Sequence, residues 1–264
     1  VRERIAGLAT FSAGKTAARE LAPFEGYGAT VRAHLETAEL LKLLDAGSNI
    51  GLGGAHDVRP AAESAQLGGL LTGPQLLDIR DTLDSARSLY RAVERAESVA
   101  PTLWDRTQTL PDTLHLAREI SRCIGSRGEV VDAASAGVAR ARQRVKTSHE
   151  RLLDHLNRVM NSARGRQVLQ EPLVTLRNGR YVLPVKADFR GEFRGIMHDM
   201  SSSGATVFME PLETVEMGND WRQAQLEEEH EVQKVLRELS DAVADYAYDI
   251  AQTVDLLAWF DLTW

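Results

Sequence analysis

Leu173–Pro211 reads LVTLRNGRYVLPVKADFRGEFRGIMHDMSSSGATVFMEP, a strand-like island in a sequence that otherwise has helical periodicity. Leu173 to Leu176 and Arg180 to Val185 alternate around Asn178-Gly179. That dipeptide favours a type I′ hairpin, because both central residues of the turn need positive φ. A second pair of runs, Gly195 to Met200 and Ala205 to Met209, brackets Ser201-Ser202-Ser203-Gly204. The four runs predict an antiparallel four-stranded meander, and Pro211 suits the start of the helix that follows.

The island lies between two long amphipathic helical patterns of opposite charge. Before it, Val138, Val145, Leu152, Leu156, Val159 and Ala163 form one stripe, with eight basic residues against two acidic ones between Val138 and Arg166. After it, Val232, Val235, Leu239, Val243, Tyr246, Ile250, Val254 and Leu257 recur at spacings of three and four. Between Glu210 and Asp245 there are eleven acidic residues against Arg222, Lys234 and Arg237. The simplest arrangement is an antiparallel coiled-coil stalk of roughly 40 Å, from about 28 residues at 1.5 Å each, with the island at its end. The opposite charges favour this pairing, although each exposed ion pair adds only about 0.2–1 kcal/mol.

Residues 1 to about 135 give shorter helical patterns separated by Gly and Pro, including Val31 to Leu44 and Pro74 to Val93, and predict a compact helical domain. Thr72 is placed to cap the second of these helices, with Pro74 in its first turn. The 264 residues, 43% of them hydrophobic, are ample for a core. The net charge of −7 argues against nucleic-acid or membrane binding over the whole surface and leaves only local basic patches. Cys123, the single cysteine, can form no internal disulfide and has no ligand cluster for zinc. There is no membrane-length apolar run and no signal-peptide layout, so a cytoplasmic protein is expected. The chain begins at Val1 and stops at Trp264 within an apolar helical pattern, which reads as a fragment of a longer protein.

Three motifs suggest chemistry. Ala9–Thr16, ATFSAGKT, satisfies a relaxed phosphate-loop pattern, but VRERIAGL before it is not a buried strand, so a helix-to-helix turn is the expectation. His198-Asp199 followed by Ser201 to Ser203 offers the residue types of a nucleophilic triad. Strand neighbours point to opposite faces, however, so Asp199 is expected to organise the serine turn instead. Phe208-Met209-Glu210 contains Phe-x-Glu, a pair that can wedge and read a base. Here it is expected to be structural, with Glu210 at a favourable helix N-terminus. Arg177, Arg180, Lys186, Arg190 and Arg194, interleaved with Tyr181, Phe189 and Phe193, form a candidate phosphate-contacting surface. Solvated sheet-edge charges are the competing reading.

LVTLRNGRYVLPVKADFRG, GIMHDMSSSGATVFMEP and the acidic helix after them resemble the MutS-II branch of the DNA mismatch-repair MutS family. LGGAHDVRP (52–60), GEVVDAAS (128–135) and LQEPLVTLR (169–177) extend the resemblance in the same order. The sequence departs from the family at Met200, where Gln is expected, and at Ser202, often Ala, both turn positions. The resemblance implies a mainly α protein: a helical core with a long antiparallel two-helix lever carrying a small antiparallel β clamp at its tip. The expected divisions are a core over 1–136, an outgoing lever helix over 137–168, a clamp over 169–211, a returning lever helix over 212–252, and a return into the core over 253–264, before an ATPase domain.

On the same grounds the fragment is expected to carry no catalysis and no cofactor. The full-length parent is implied to be a homodimeric ATPase, using ATP and Mg, and an endonuclease. The implied partner is branched DNA, or alternatively the ribosome and its rRNA. A purely structural coiled-coil arm that binds a protein is the remaining alternative. The expected nucleic-acid contacts are Arg177, Arg180, Lys186, Arg190 and Arg194 at the tip, with Arg151, Arg158, Arg164 and Arg166 on the outgoing helix.

Overall fold

The computed structural model describes residues 1–47 and 51–263. Ser48, Asn49 and Ile50 of the Gly-punctuated 46–57 stretch, and Trp264 of the last apolar pattern, lie outside the described residues. The chain is mainly helical, with one four-stranded antiparallel sheet. It divides into two units, residues 1–134 with 234–264, and residues 135–233.

The first unit contains α1 (Arg2–Ala6), α2 (Ser12–Glu20), α3 (Tyr27–Asp45), α4 (Arg59–Gln66), α5 (Gly73–Glu94), α6 (Pro101–Thr107) and α7 (Leu114–Cys123). Its core is built on Leu76, Ile79, Leu83 and Leu89 of α5 and Leu116 and Ile120 of α7. The start of α5 follows the expected capping, with the Thr72 amide and hydroxyl both donating to Gln75 Oε1 at 2.9 Å. Two buried carboxylates organise α6. Glu39 accepts from the Thr102 and Leu103 amides at 3.2 and 3.0 Å, satisfying orphan donors of that helix. Glu36 holds Arg106 at 2.8 Å and Arg32 at 3.2 Å. Cys123 is a buried free thiol whose pKa is pushed up by burial, the opposite of what a reactive thiolate needs.

The second unit begins with α8 (Ala136–Asn161), capped by the Ser135 hydroxyl, and α9 (Ala163–Val168). The single outgoing helix expected from the sequence is therefore broken at Ser162. That residue ends α8, and its hydroxyl accepts from the Gly165 amide at 2.9 Å. Gly165 is required there, because an added Cβ would overlap the carbonyl oxygens of Val159 and Met160. The returning segment is α10 (Leu212–Asp245), followed by α11 (Ala247–Thr263). Its helix ends at Asp245, short of the expected 252, and the division between the two units falls within it. Beyond Lys234 the chain belongs to the first unit, where α11 packs against α2, α4 and α5 through Ile250, Val254, Leu257 and Phe260.

In the second unit α8 and α10 run antiparallel. Arg142 meets Glu228 at 3.0 Å, Arg144 meets Glu227 at 2.7 Å and His155 meets Glu213 at 3.0 Å. The His149 ring stacks on Trp221 at 4.9 Å and its Nε2 lies 2.8 Å from the Tyr181 hydroxyl.

The sheet comprises β1 (Thr175–Arg177), β2 (Arg180–Lys186), β3 (Gly195–Met200) and β4 (Thr206–Pro211). Its order is β1-β2-β4-β3, which corrects the expected meander. The hairpin turn is as expected, with Asn178 at φ 51° and Gly179 at φ 75°. The meander fails on burial. Val182 to Val185 and Val207, Met209 and Glu210 are buried, so β2 and β4 take the centre. The more exposed β3 takes an edge. Leu183, Val185, Val207 and Met209 close one core with Leu152, Leu156, Val168 and Leu169. A strand with one solvated face is placed at an edge by the same burial term that centres an apolar one.

Candidate nucleic-acid interface

The structure separates the expected basic residues into groups with different surroundings. On the outer face of the sheet, Arg177 pairs with Asp199 at 3.3 Å and lies over the Phe208 ring at 4.4 Å. Its neighbour Arg180 reaches Glu210 at 3.4 Å and Asn219 Oδ1 at 2.6 Å. Lys186 donates to the Gln167 carbonyl at 3.0 Å, with its ammonium 5.9 Å from the Phe189 ring centre. These three cations are partly used in holding the sheet. Their partners Asp199, Glu210 and Asn219 come from other elements, so the spacing of the basic residues in the sequence did not point to them.

Arg158, Arg164 and Arg194 are brought together instead. They line a cleft of about 440 Å³ with His155, Ser162, Glu192 and Glu213, where the Ser162 break faces the segment entering β3. Arg164 is ion-paired with Glu192. Glu213 is held by His155 Nε2, while Arg158 donates to His155 Nδ1 at 3.3 Å. His155 thus sits between the Glu213 carboxylate and the Arg158 guanidinium. Both carboxylates of the cleft thus have partners, and the guanidiniums of Arg158 and Arg194 remain available. Arg151, Arg166 and Arg190 are exposed elsewhere on the unit. Among the described residues no ion pair is made by Arg151, Arg166, Arg190 or Arg194.

The triad-like residues do not converge. A bulge between Met197 and Asp199 turns His198 out of register, and its Nε2 lies 2.8 Å from Glu210 Oε2. Asp199 accepts from the Met200 amide at 2.8 Å in addition to pairing with Arg177, so it does not organise the serine turn. That role falls to Ser201, whose hydroxyl accepts from the Thr206 amide at 3.1 Å. Glu210 is not placed at the helix N-terminus either. It is 2% exposed and serves Arg180 and His198 beside the flank of α10, where a Cβ at Gly218 would crowd both Arg180 and Glu210.

The phosphate-loop pattern is also a structural feature. Ser12 to Thr16 already belong to α2, and a helix rather than a strand precedes the turn. The Asp261 carboxylate accepts from the Thr10 amide at 2.9 and 3.0 Å and from the Phe11 amide at 3.3 Å. A protein carboxylate thus occupies the place a phosphate would need, and a Cβ at Gly14 would overlap it. These residues do not fit a nucleotide. Among the described residues no group of three or more His, Cys, Asp or Glu could hold a metal ion, and no helix is long and apolar enough to cross a membrane.

No family model matches the chain. Curated proteins do. It is 37% identical over 265 residues to Endonuclease MutS2 of Thermomicrobium roseum, covering 99% of this chain and 33% of that protein. It is 36% identical over 261 residues to Endonuclease MutS2 of Symbiobacterium thermophilum, and 33% over 264 residues to Endonuclease MutS2 of a Geobacillus species, each across 99% of the chain. The chain spans about a third of the length of the curated relatives it matches. The similarity runs along 99% of the chain and relates it to proteins named Endonuclease MutS2.

Proposed function

We propose that this chain is the nucleic-acid-gripping core, lever and clamp module of a MutS2-like DNA-repair and recombination-suppressing protein. In that reading α8 and the first part of α10 are the lever, and the sheet with α9 is the clamp. ATP hydrolysis and nuclease chemistry would belong to other parts of the protein, and two clamps would close around branched DNA in a dimer. The observation that carries the reading is the cleft lined by Arg158, Arg164 and Arg194. Beside the Glu192-paired Arg164 it holds two guanidiniums, those of Arg158 and Arg194, without carboxylate partners, on a chain whose net charge is negative. Guanidinium groups bind phosphate through planar, paired donors, and phosphate contacts position a protein on a duplex without reading its sequence. Arg151, Arg166 and Arg190 would extend the contact, and Arg177, Arg180 and Lys186 would join it where their internal partners leave donors free.

The test is fluorescence anisotropy of the 264-residue chain with labelled four-way-junction DNA and linear duplex of equal length, at two low salt concentrations. The expected result is preference for the junction, weakening with salt at a slope of roughly three to five phosphate contacts. No binding to either DNA would overturn the assignment in favour of an arm that docks on a ribosome or a protein.

A further inference from the structure

The arginine cleft contains more than a phosphate contact requires. Beside three guanidiniums it places the carboxylates of Glu192 and Glu213, and at a site for phosphate alone such groups oppose the ligand by like-charge repulsion. Each carboxylate uses one oxygen internally. Glu192 Oε2 accepts from Arg164, and Glu213 Oε2 is held by His155. Among the described residues no hydrogen bond reaches either Oε1, and the two side chains are 57% and 65% exposed. Two acceptor oxygens are therefore unused in the same cleft as the guanidiniums of Arg158 and Arg194.

The cleft also has an apolar wall, to which Phe193, Val159 and Pro211 contribute. Phe193 and Val159 pack on the sheet core and stay partly exposed. Gly195 makes room for the Phe193 ring, since a Cβ there would lie 3.1 Å from two of its carbons. The Arg194 carbonyl accepts from the Leu212 amide at 3.1 Å, which fixes the backbone of that arginine beside the start of α10. The volume of about 440 Å³ falls within the ~300–1,000 Å³ of small-ligand sites. It is too little to admit a duplex, whose major groove alone is ~12 Å wide.

We infer that the cleft receives a single unpaired nucleotide and favours a base that carries an exocyclic amino group. The inference rests on the nucleic-acid reading above and narrows it from phosphate contact to base recognition. The phosphate of that nucleotide lies on Arg158 and Arg194. Its base packs on Phe193, as unstacked bases do on aromatic side chains. Cytosine N4 or adenine N6 then donates to the free carboxylate oxygens, the pairing by which Glu and Asp read an amino group. Thymine has no amino group and would set its carbonyl oxygens against the carboxylates. A base held in a duplex has its face stacked and its Watson–Crick edge occupied, so only an unpaired one can enter.

The test is anisotropy of the 264-residue chain at low salt with three labelled duplexes of equal length, one fully paired, one with a single unpaired cytosine and one with a single unpaired thymine, alongside the four-way junction. The cytosine duplex should bind at least about fivefold more tightly than the other two. Replacing both Glu192 and Glu213 by Ala should erase the difference between cytosine and thymine and raise affinity for the paired duplex, because negative charge leaves a phosphate-contacting cleft. Both side chains are largely exposed and their pairs contribute little to stability, so melting should stay unchanged. Junction binding with equal affinity for the three duplexes overturns this inference and leaves the proposed function standing. A cytosine preference that survives the double substitution overturns it as well. No binding to any of the four DNAs overturns both.

Discussion

His198 directs its Nε2 to the Glu210 carboxylate at 2.8 Å and not to Asp199, its neighbour in sequence. The bulge in β3 makes this possible. It turns a pair of adjacent residues that resembles part of a catalytic triad into two separate structural contacts, one on β4 and one on β1. Glu210 thereby ties the edge strand β3 and the start of β2 to the strand that enters α10.

Replacing Glu210 by Ala leaves His198 and Arg180 without their shared acceptor. A loss of about 1–3 kcal/mol in the stability of the sheet is expected. Hydrogen exchange of the β3 amides should report it most directly. Protection equal to that of the unsubstituted chain would show that the pairing contributes nothing.

Gly14→Ala should act on the first unit alone. The new methyl group overlaps Asp261 and must push the carboxylate away from the Thr10 and Phe11 amides. A cost of about 1–3 kcal/mol is expected for such overpacking, read as a lower melting temperature. Lys15→Ala, at the position a phosphate loop would depend on, should leave melting unchanged, and calorimetry is expected to show no ATP binding by either the parent or the variant.

Acid should weaken the Asp57–Arg59 ion pair at the start of α4. The Arg59 guanidinium, bonded to Asp57 at 2.6 Å and to Asp255 at 2.9 Å, holds the Asp57 carboxyl below its ordinary 3.8. A depressed folded value stabilises the fold above the unfolded value, and that contribution is lost as pH falls through the folded one. Asp57→Asn should therefore be less stable than the parent at neutral pH, and the difference should shrink below about pH 4. Urea melts at pH 7 and pH 3 measure it; an equal difference at both would refute the assignment.

Two arginines on the same unit should behave differently. Arg194→Glu is expected to weaken junction binding several-fold and lower the salt slope by about one phosphate, with melting unchanged. Arg180→Glu should also lower the melting temperature, because it places a second carboxylate against buried Glu210. Anisotropy at two salt concentrations together with thermal melts separates the two effects.

Much of the architecture was legible in the sequence because it follows from local rules. Asn178-Gly179 dictated a hairpin through backbone sterics. Thr72 and Pro74 marked the start of α5, and the three-and-four spacing with opposite charge announced α8 and α10. The helix break at Ser162 was a local signal too, a hydroxyl residue three positions before Gly165, but the apolar stripe continued through it and outweighed it.

The sequence by itself determined which segments become helix or strand and which residue types are basic and numerous, since periodicity, turn sterics and charge belong to neighbouring residues. Only the tertiary structure decided the strand order, the partners of Arg106 and Arg180, and the burial of Glu36 and Glu39 on α3. Those outcomes rest on burial and on carboxylates supplied from far along the chain: Glu210 for Arg180, Glu213 for His155, Glu36 for Arg106 and Asp261 for Thr10. A charge removed from water must find its counterpart wherever the fold brings one within hydrogen-bonding distance, and sequence spacing carries no record of that distance.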